Sequence, residues 1–95
     1  MASNFRISSH RSSDNLHLKL TGDFDGSSAH ELINLIKEQN KNVDNIFIHT
    51  GNLHSVDPFG LDVFQKNFSV NKLSERLTFT GEHSNKMAPE GSRLG

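Results

Sequence analysis

The alternation of hydrophobic and polar positions predicts two strands at the start of the chain. Hydrophobic residues recur at every second position in both segments, at Phe5, Ile7, Leu16, Leu18 and Leu20. The polar segment 10–15 between them is typical of a turn, so the pattern predicts a β-hairpin. The following segment 21–28 contains two glycines and is predicted to be a loop.

A helical pattern follows over residues 28–39. Its apolar positions fall at the spacing of one helix face, at Ala29, Leu32, Ile33 and Ile36. Ser28 and Glu31 have the spacing of a capping box, which predicts that the helix begins at Ser28. The apolar segment 46–50 is then predicted to be a buried strand, and a strand–helix–strand sequence of this length predicts a parallel pair.

The second half of the chain repeats this order. The segment 51–60 is predicted to be a loop, and a second helix is predicted to begin with Asp57 as its N-cap and Pro58 at its first position. Its apolar stripe is formed by Leu61, Phe64 and Phe68. Residues 76–80 predict a last strand, and the tail 81–95 predicts a short helix near 83–88 and a flexible end.

The resulting element order, β-β-α-β-α-β with a final short α, predicts an α/β fold: a small mixed β-sheet with helices packed on one face. We expect a single domain over residues 1–95, with its core at about 5–80. In such sheets functional residues collect at the carboxyl ends of the parallel strands, which is where the segment 51–60 lies.

Composition narrows the classes of function. The net charge is −1 and the chain has no cysteine, tryptophan or tyrosine, so thiolate chemistry is excluded and no strong field attracts nucleic acid. No nucleotide-binding or hydrolase motif is present, and no apolar segment is long enough to insert into a membrane. We therefore expect a cytoplasmic protein that is not an enzyme and that has no cofactor and no nucleic-acid partner.

Two segments resemble the signature motifs of STAS domains, the family that includes the anti-sigma factor antagonists. The segment LTGDFDGSSAHEL at 20–32 is similar to the first motif, and NIFIHTGNLHSVDPFGLDVF at 45–64 is similar to the second. The resemblance covers roughly residues 5–90 with matching element order. It implies a bacterial signalling module that regulates transcription by binding a protein partner.

The resemblance also implies how such a module is switched. Anti-sigma factor antagonists dock a serine-kinase-type anti-sigma factor, which phosphorylates the hydroxyl residue after the motif aspartate and so breaks the complex. In this chain the motif aspartate is Asp57, and the phosphoacceptor position is occupied by Pro58, followed at the helix start by Gly60 and Leu61. Proline has no hydroxyl group, so phosphorylation at this position is excluded.

Three readings remain open. In the first, the chain is a constitutive antagonist. In the second, it is switched by phosphorylation at a substitute hydroxyl, for which Ser55 and Thr50 are nearest. In the third, it functions without a kinase, as a STAS subunit or module of a lipid or anion transporter or of a sensor assembly. A partner chain, or a second copy in a homodimer, is a candidate to cover the exposed edge of the sheet.

The predicted partner-binding surface combines the two motif segments and the exposed face of the second helix. Its residues are Asp23, Asp25, Ser55, Asp57, Pro58, Phe59, Gly60, Asp62, Val63 and Lys66. Phe59 is the candidate apolar anchor, because it follows the helix start at a position that is often exposed. The two aspartates of the first motif also suit helix capping and turn geometry, which need no chemistry.

A metal-dependent enzyme is the alternative from a different class. His49, His54 and Asp57 supply two imidazoles and a carboxylate, a set that a divalent metal accepts. Their spacing matches no recognised metal motif, and His49 alternates with Ile46 and Ile48 as a strand residue on the polar face would. We therefore expect no metal site.

Overall fold

The computed structural model describes residues 4–39, 43–68, 75–89 and 92–95, with the side chain of Phe68 outside the description. The elements are β1 (Arg6–Ser12), β2 (Asn15–Phe24), α1 (Gly26–Gln39), β3 (Asn45–Val56), α2 (Pro58–Phe68), β4 (Leu77–Thr80), α3 (Ser84–Met87) and β5 (Arg93–Leu94). The predicted order of strands and helices is thus confirmed, and one strand, β5, was not predicted.

The five strands form one sheet in the order β1-β2-β3-β4-β5, so β1 and β5 are its two edges. The hairpin β1–β2 is antiparallel, and the pairs β2–β3, β3–β4 and β4–β5 are parallel. The hairpin turns through Ser13 and Asp14 alone, with Ser13 at a φ of 56°. The strands therefore extend well into the segment 10–15 that the sequence predicted to be a turn.

Alternation along the strands separates the two faces of the sheet as predicted. The face toward the helices carries Leu16, Leu18, Leu20, Ile46, Ile48, Leu77 and Phe79, all of them buried. The helices contribute the predicted stripe of α1 together with Phe64 of α2. The rings of Phe5, Phe24, Phe64 and Phe79 meet edge to face in a row, with centroids 5.8 to 6.2 Å apart.

The opposite face of the sheet, the outer face, is polar. Paired strand residues share a face, so the outer face carries His10, His17, Lys19, Phe47, His49, Thr78 and Thr80. The prediction that His49 lies on the polar face of its strand agrees with this register. Within the described ranges, the structure contains no helix that is long and apolar enough to cross a membrane.

The tail differs from its prediction. A short helix is present at Ser84–Met87, with Met87 buried, but Arg93 and Leu94 do not form a flexible end. They pair with Thr78 and Phe79 of β4, and the Gly95 N–H donates to the Phe79 carbonyl at 2.9 Å. A pair of residues is too short for a strand pattern to be visible in the sequence.

Candidate functional site

The two segments that were predicted to be loops are strands over at least half of their length. β2 runs through Phe24 and β3 runs through Val56, and the two ends pair through Thr21–Asn52, Asp23–Ser55 and Phe24–Val56. β3 has one residue more than β2 on each side of the Gly22–Leu53 pair, so two bulges bend the ladder. The loop predictions for 21–28 and 51–60 were wrong because bulged pairing breaks the alternation that identifies a strand.

This pairing brings the starts of α1 and α2 together. The Asp57 N–H donates to the Phe24 carbonyl at 2.8 Å, so the end of β3 is fixed to the end of β2. At Gly60 an added Cβ would lie 2.7 Å from the backbone carbonyl of Asp25, and at Gly26 it would lie 2.8 Å from the Phe59 ring. We call these contacts between Asp25, Gly26, Phe59 and Gly60 the α1–α2 junction.

Asp25 is the N-cap of α1. Its Oδ1 accepts hydrogen bonds from the Ser28 N–H at 2.9 Å and from the Ser28 hydroxyl at 3.1 Å. The backbone hydrogen bond from Ser28 is the main reason why the pKa of Asp25 lies below its ordinary value. The predicted capping box at Ser28 and Glu31 was therefore wrong: Ser28 lies inside the first turn, buried, where its hydroxyl also donates to the Asp23 carbonyl at 2.9 Å.

Asp57 precedes α2 as predicted. Its Oδ1 accepts the Phe59 N–H at 3.3 Å, and its carbonyl accepts the Leu61 N–H at 3.1 Å, the first hydrogen bond of the helix. Pro58 occupies the first helical position and is exposed. Position 58 is thus open to a partner but offers no hydroxyl.

The side chain of Asp23 connects the ends of β2 and β3. Its Oδ1 accepts the Ser55 hydroxyl at 2.7 Å and lies 3.5 Å from His54 Nδ1. The hydrogen bond from Ser55 is the largest cause that holds the pKa of Asp23 below its ordinary value, and burial acts against it. Ser55 is exposed, whereas Thr50 is buried and its hydroxyl donates to the Thr80 carbonyl at 2.8 Å. Of the two substitute hydroxyls, only that of Ser55 is accessible.

The exposed side of α2 continues from this point. The Phe59 side chain is 65% exposed, the larger of two exposed values among the big hydrophobic residues described. Asp62 and Lys66 are exposed and form an ion pair at 3.1 Å, one turn apart. Val63 is half-buried and packs partly against the core, so less of it faces outward than the prediction required.

Sequence reasoning missed three members of this region. Asn4 accepts the Asp23 N–H through its side chain at 3.3 Å, and its backbone carbonyl lies where a Cβ of Gly22 would be. Gly22 has a φ of 93°, a conformation that glycine adopts without cost. Gly26 leaves space for the Phe59 ring. Glycines beside a strand end were the available signal for close approach, and they were read as loop residues.

The alternative metal site does not assemble. His49 is engaged with His17 and Thr80 on the outer face, His54 contacts Asp23, and Asp57 caps α2. Among the residues for which the structure gives a placement, no group of three or more histidine, cysteine or acidic side chains is arranged to hold a metal ion.

The chain was compared with known proteins. Neither a protein-family profile nor a curated protein sequence matches it. Among solved structures, the anti-sigma factor antagonist SpoIIAA in its unphosphorylated form aligns with a TM-score of 0.61 at 14% identity, covering 96% of this chain and 86% of that one. A DUF3478-family protein with a SpoIIAA-like fold from Shewanella loihica aligns with a TM-score of 0.61 at 15% identity, covering 100% and 90%.

A third structure, that of Mglu, aligns with a TM-score of 0.62 at 14% identity and covers 92% of this chain. This chain spans only 18% of the length of Mglu, so the likeness concerns one part of that protein. The shared element is the mixed sheet with helices on one face, which the sequence predicted. The chain therefore has a STAS-like fold, that of the anti-sigma factor antagonist SpoIIAA.

Proposed function

We propose that this chain is a protein-binding regulatory module of the anti-sigma factor antagonist kind, and that it is not switched by phosphorylation at position 58. The likeness to SpoIIAA supports the class of protein, and the motif residues support the place of binding. The observation that carries the proposal is the exposed Phe59 ring, which stands 65% exposed on a junction whose backbone is already closely packed. A rigid, exposed aromatic residue is a common anchor of a protein interface.

The charges around this ring define the partner. Asp25 and Asp57 lie at the two helix starts beside it, and Asp23 lies near the end of β2. The pKa values of Asp23 and Asp25 lie below their ordinary value, so both carboxylates are ionised at neutral pH. The one ammonium in the proposed surface, that of Lys66, is paired with Asp62. The surface thus suits a partner with an apolar pocket bordered by basic residues, as electrostatic complementarity requires.

Pro58 removes the phosphorylation switch at position 58. A phosphate adds a charge of about −1.5 to −2 at neutral pH and would be placed at the centre of an acidic surface. Without a hydroxyl at position 58, a kinase partner cannot release itself by that route. A phosphate on Ser55 would stand beside the Asp23 carboxylate, 2.7 Å from the present hydroxyl oxygen, so Ser55 is the remaining position for a switch.

The test is site-specific crosslinking in the source cells. A photoreactive phenylalanine analogue replaces Phe59, and a matched control replaces exposed Ser12 at the far end of β1. We expect a serine-kinase-type anti-sigma factor to be captured from position 59 and not from position 12. Capture of a transporter subunit, or equal capture from both positions, would contradict the proposal.

The purified partner then allows the dissociation constant of the complex to be measured. We expect Phe59→Ala to weaken binding by about 30-fold, the loss typical of an anchor residue. Exposed Asn34→Ala on α1 serves as the control and should leave the dissociation constant unchanged. With the kinase and ATP, the natural chain should take up no phosphate at position 58, while Pro58→Ser should take up one. An unchanged affinity after Phe59→Ala would show that binding occurs elsewhere.

A further inference from the structure

The outer face of the sheet contains an open depression that the proposed function does not use. It has a volume of about 420 Å³ and lies beside His49–Thr80, the last pair between β3 and β4, where β4 ends and β3 continues. Its lining is formed by Lys19, His49, Gly51, Asn52, Thr80 and Gly81, of which four carry polar side chains. Phe59 and Asp57, the central residues of the proposed docking surface, do not line it.

Two glycines and a bulge form this depression. Between the pairs Lys19–His49 and Thr21–Asn52, β3 has one residue more than β2, which bends it away from its neighbour. Gly81 has a φ of 100° and turns the chain after β4 so closely that an added Cβ would lie 2.4 Å from the Gly51 nitrogen. At Gly51 itself an added Cβ would meet nothing within 4 Å, so the space above it is empty.

The lining offers hydrogen-bond donors and a positive charge. Lys19 supplies an ammonium group, Asn52 an amide and Thr80 a hydroxyl, and no carboxylate belongs to the lining. Within the described part of the chain, no acidic side chain lies within ion-pair distance of Lys19. An ammonium group beside neutral donors and without a counter-charge is complementary to an anion.

A chain of hydrogen bonds ends in this depression. His17 Nδ1 lies 3.0 Å from His49 Nε2, and His49 Nδ1 lies 2.6 Å from Thr80 Oγ1. The two imidazole planes are within 1° of parallel, and the ring centroids are 5.3 Å apart. This distance is close to the sum of the 3.0 Å between the two nitrogens and the radii of the two rings. The rings therefore lie edge to edge in one plane, with the two nitrogens pointing at each other.

The direction of the hydrogen bonds from His17 to Thr80 determines whether the Thr80 hydroxyl can donate to a ligand. When His17 donates to His49 and His49 donates to Thr80, the Thr80 hydroxyl proton is free to point into the depression. The reverse direction uses that proton inside the chain. An anion in the depression favours the first direction, because it accepts the Thr80 proton.

We propose that this depression binds a phosphoryl group, with Lys19 neutralising its charge and Asn52 and Thr80 donating hydrogen bonds. The space is more than ten times the roughly 30 Å³ that one water molecule occupies in the liquid, so the organic part of a phosphate monoester also fits. Binding is linked to protonation of His49, because an imidazolium at His49 donates to both His17 and Thr80, so that both hydrogen bonds are kept and a charge is added beside the anion.

Partial burial, and then the neighbouring charges of His17 and Lys19, hold the pKa of His49 below its ordinary value. Three further basic residues of the outer face lie near these rows: His10 on β1, opposite His17; Arg6 on β1, opposite Thr21; and Arg93 on β5, opposite Thr78. A bound dianion offsets this repulsion and raises the affinity of His49 for a proton. We therefore expect anion affinity to increase as the pH falls.

The experiment is an NMR titration of the labelled chain at constant ionic strength. Inorganic phosphate and ribose 5-phosphate are the probes, and chloride is the control. We expect saturable shifts at Lys19, Asn52 and Thr80 with millimolar affinity for phosphate. Equal or tighter binding of ribose 5-phosphate assigns the site to a monoester, and tighter binding of phosphate assigns it to the free ion. Shifts of the same size with chloride would overturn the proposal.

Two variants localise the site. Lys19→Met should weaken phosphate binding about tenfold, the loss expected for a hydrogen bond to a charged group. Gly51→Leu should weaken it at least as much, because the new side chain enters empty space and fills the depression. Lys86→Met removes an exposed lysine on α3, outside both proposed sites, and should have no effect. Equal affinity in all four proteins would overturn the proposal.

Sulfate tests the linkage to protons, because its charge is constant between pH 5 and pH 8. We expect the natural chain to bind sulfate about fivefold more tightly at pH 5.5 than at pH 7.5, and His49→Gln to lose most of this difference. His10→Gln is the matched control and should retain it. A pH dependence that disappears in the His10 variant and persists in the His49 variant would contradict the assignment.

Discussion

The α1–α2 junction lies at the carboxyl ends of β2 and β3, and the depression of the outer face lies beside the carboxyl end of β4. Glycine lies at the centre of each. At the junction, Gly60 has no room for a Cβ, because the Asp25 carbonyl is 2.7 Å from the position that the Cβ would take. In the depression, a Cβ on Gly51 would meet nothing within 4 Å. The same residue type therefore closes one place and leaves the other open.

This difference separates two kinds of recognition. A surface that is closed by backbone contacts and exposes one ring presents a fixed shape, which suits a macromolecular partner. An open depression that is bordered by hydrogen-bond donors presents space, which suits a small anion. Substitutions should therefore act on stability at the junction and on ligand affinity in the depression.

The largest effect that sharpens the comparison is expected from Gly60→Ala. The added methyl group forces the Asp25 carbonyl away, and overpacking of this kind costs about 2 kcal/mol of unfolding free energy. Gly51→Ala is the matched control and should change stability by less than about 0.5 kcal/mol. Urea unfolding of both variants measures the two values. A Gly60 variant as stable as the natural chain would mean that the junction opens without cost.

A smaller loss is expected from Thr50→Val, beneath the depression. The buried hydroxyl donates to the Thr80 carbonyl at 2.8 Å and accepts the His83 N–H at 3.2 Å, so it connects β3 to the turn at Gly81. Its removal leaves both groups unpaired and should cost about 1–2 kcal/mol. Thr78→Val, a half-buried outer-face threonine, should cost little. Equal unfolding midpoints in the two variants would show that this connection does not hold the turn.

Asp25→Ala should lower the thermal midpoint by roughly 5 °C at neutral pH, because α1 loses its N-cap. Asp25→Asn keeps the cap without a charge and separates capping from ionisation. Since the pKa of Asp25 is lowered in the folded chain, its contribution is present above the ordinary value of 3.8 and is lost as the pH falls through the folded pKa. The advantage of the natural chain over the Asn variant should therefore shrink in acid. A constant difference from pH 7 to pH 3 would contradict this.

The smallest effect is expected from Lys66→Ala. The ion pair with Asp62 is exposed and joins residues one helical turn apart. Pairs of this kind contribute about 0.3–0.5 kcal/mol to the free energy of unfolding, and less at high salt. Because stability hardly changes, any loss of partner binding in this variant reports contact directly. A stability loss above about 1 kcal/mol would show that Lys66 has a structural role.

Much of the fold was predictable from the sequence, because burial imposes period 2 on Leu16, Leu18 and Leu20 and helical period on α1. These patterns fixed the element order and the face of the sheet that the helices cover. The pattern failed at residues 21–24 and 51–56, where bulges shift the pairing of β2 and β3. The partner of a bulged strand decides its structure, and no local pattern encodes that pairing.

The site was less predictable than the fold. The motif positions of Asp57 and Pro58 correctly predicted the start of α2. The N-cap of α1 was predicted at Ser28, but in the structure it is Asp25, three residues earlier. The hydrogen bond between His17 and His49 joins residues 32 positions apart, so it depends on the parallel register of two strands. Long-range register is set by packing of the whole sheet, which residue spacing does not report.

The exposure of Phe59 has a consequence for spectroscopy. The chain contains neither tryptophan nor tyrosine, so it has almost no absorbance or emission of its own near 280 nm. Phe59→Trp would place the only indole of the molecule on the surface where we propose that a partner binds, with its starting environment mostly water. Its emission maximum would then shift to shorter wavelength on docking, so one substitution would turn the protein into its own fluorescent sensor of the complex.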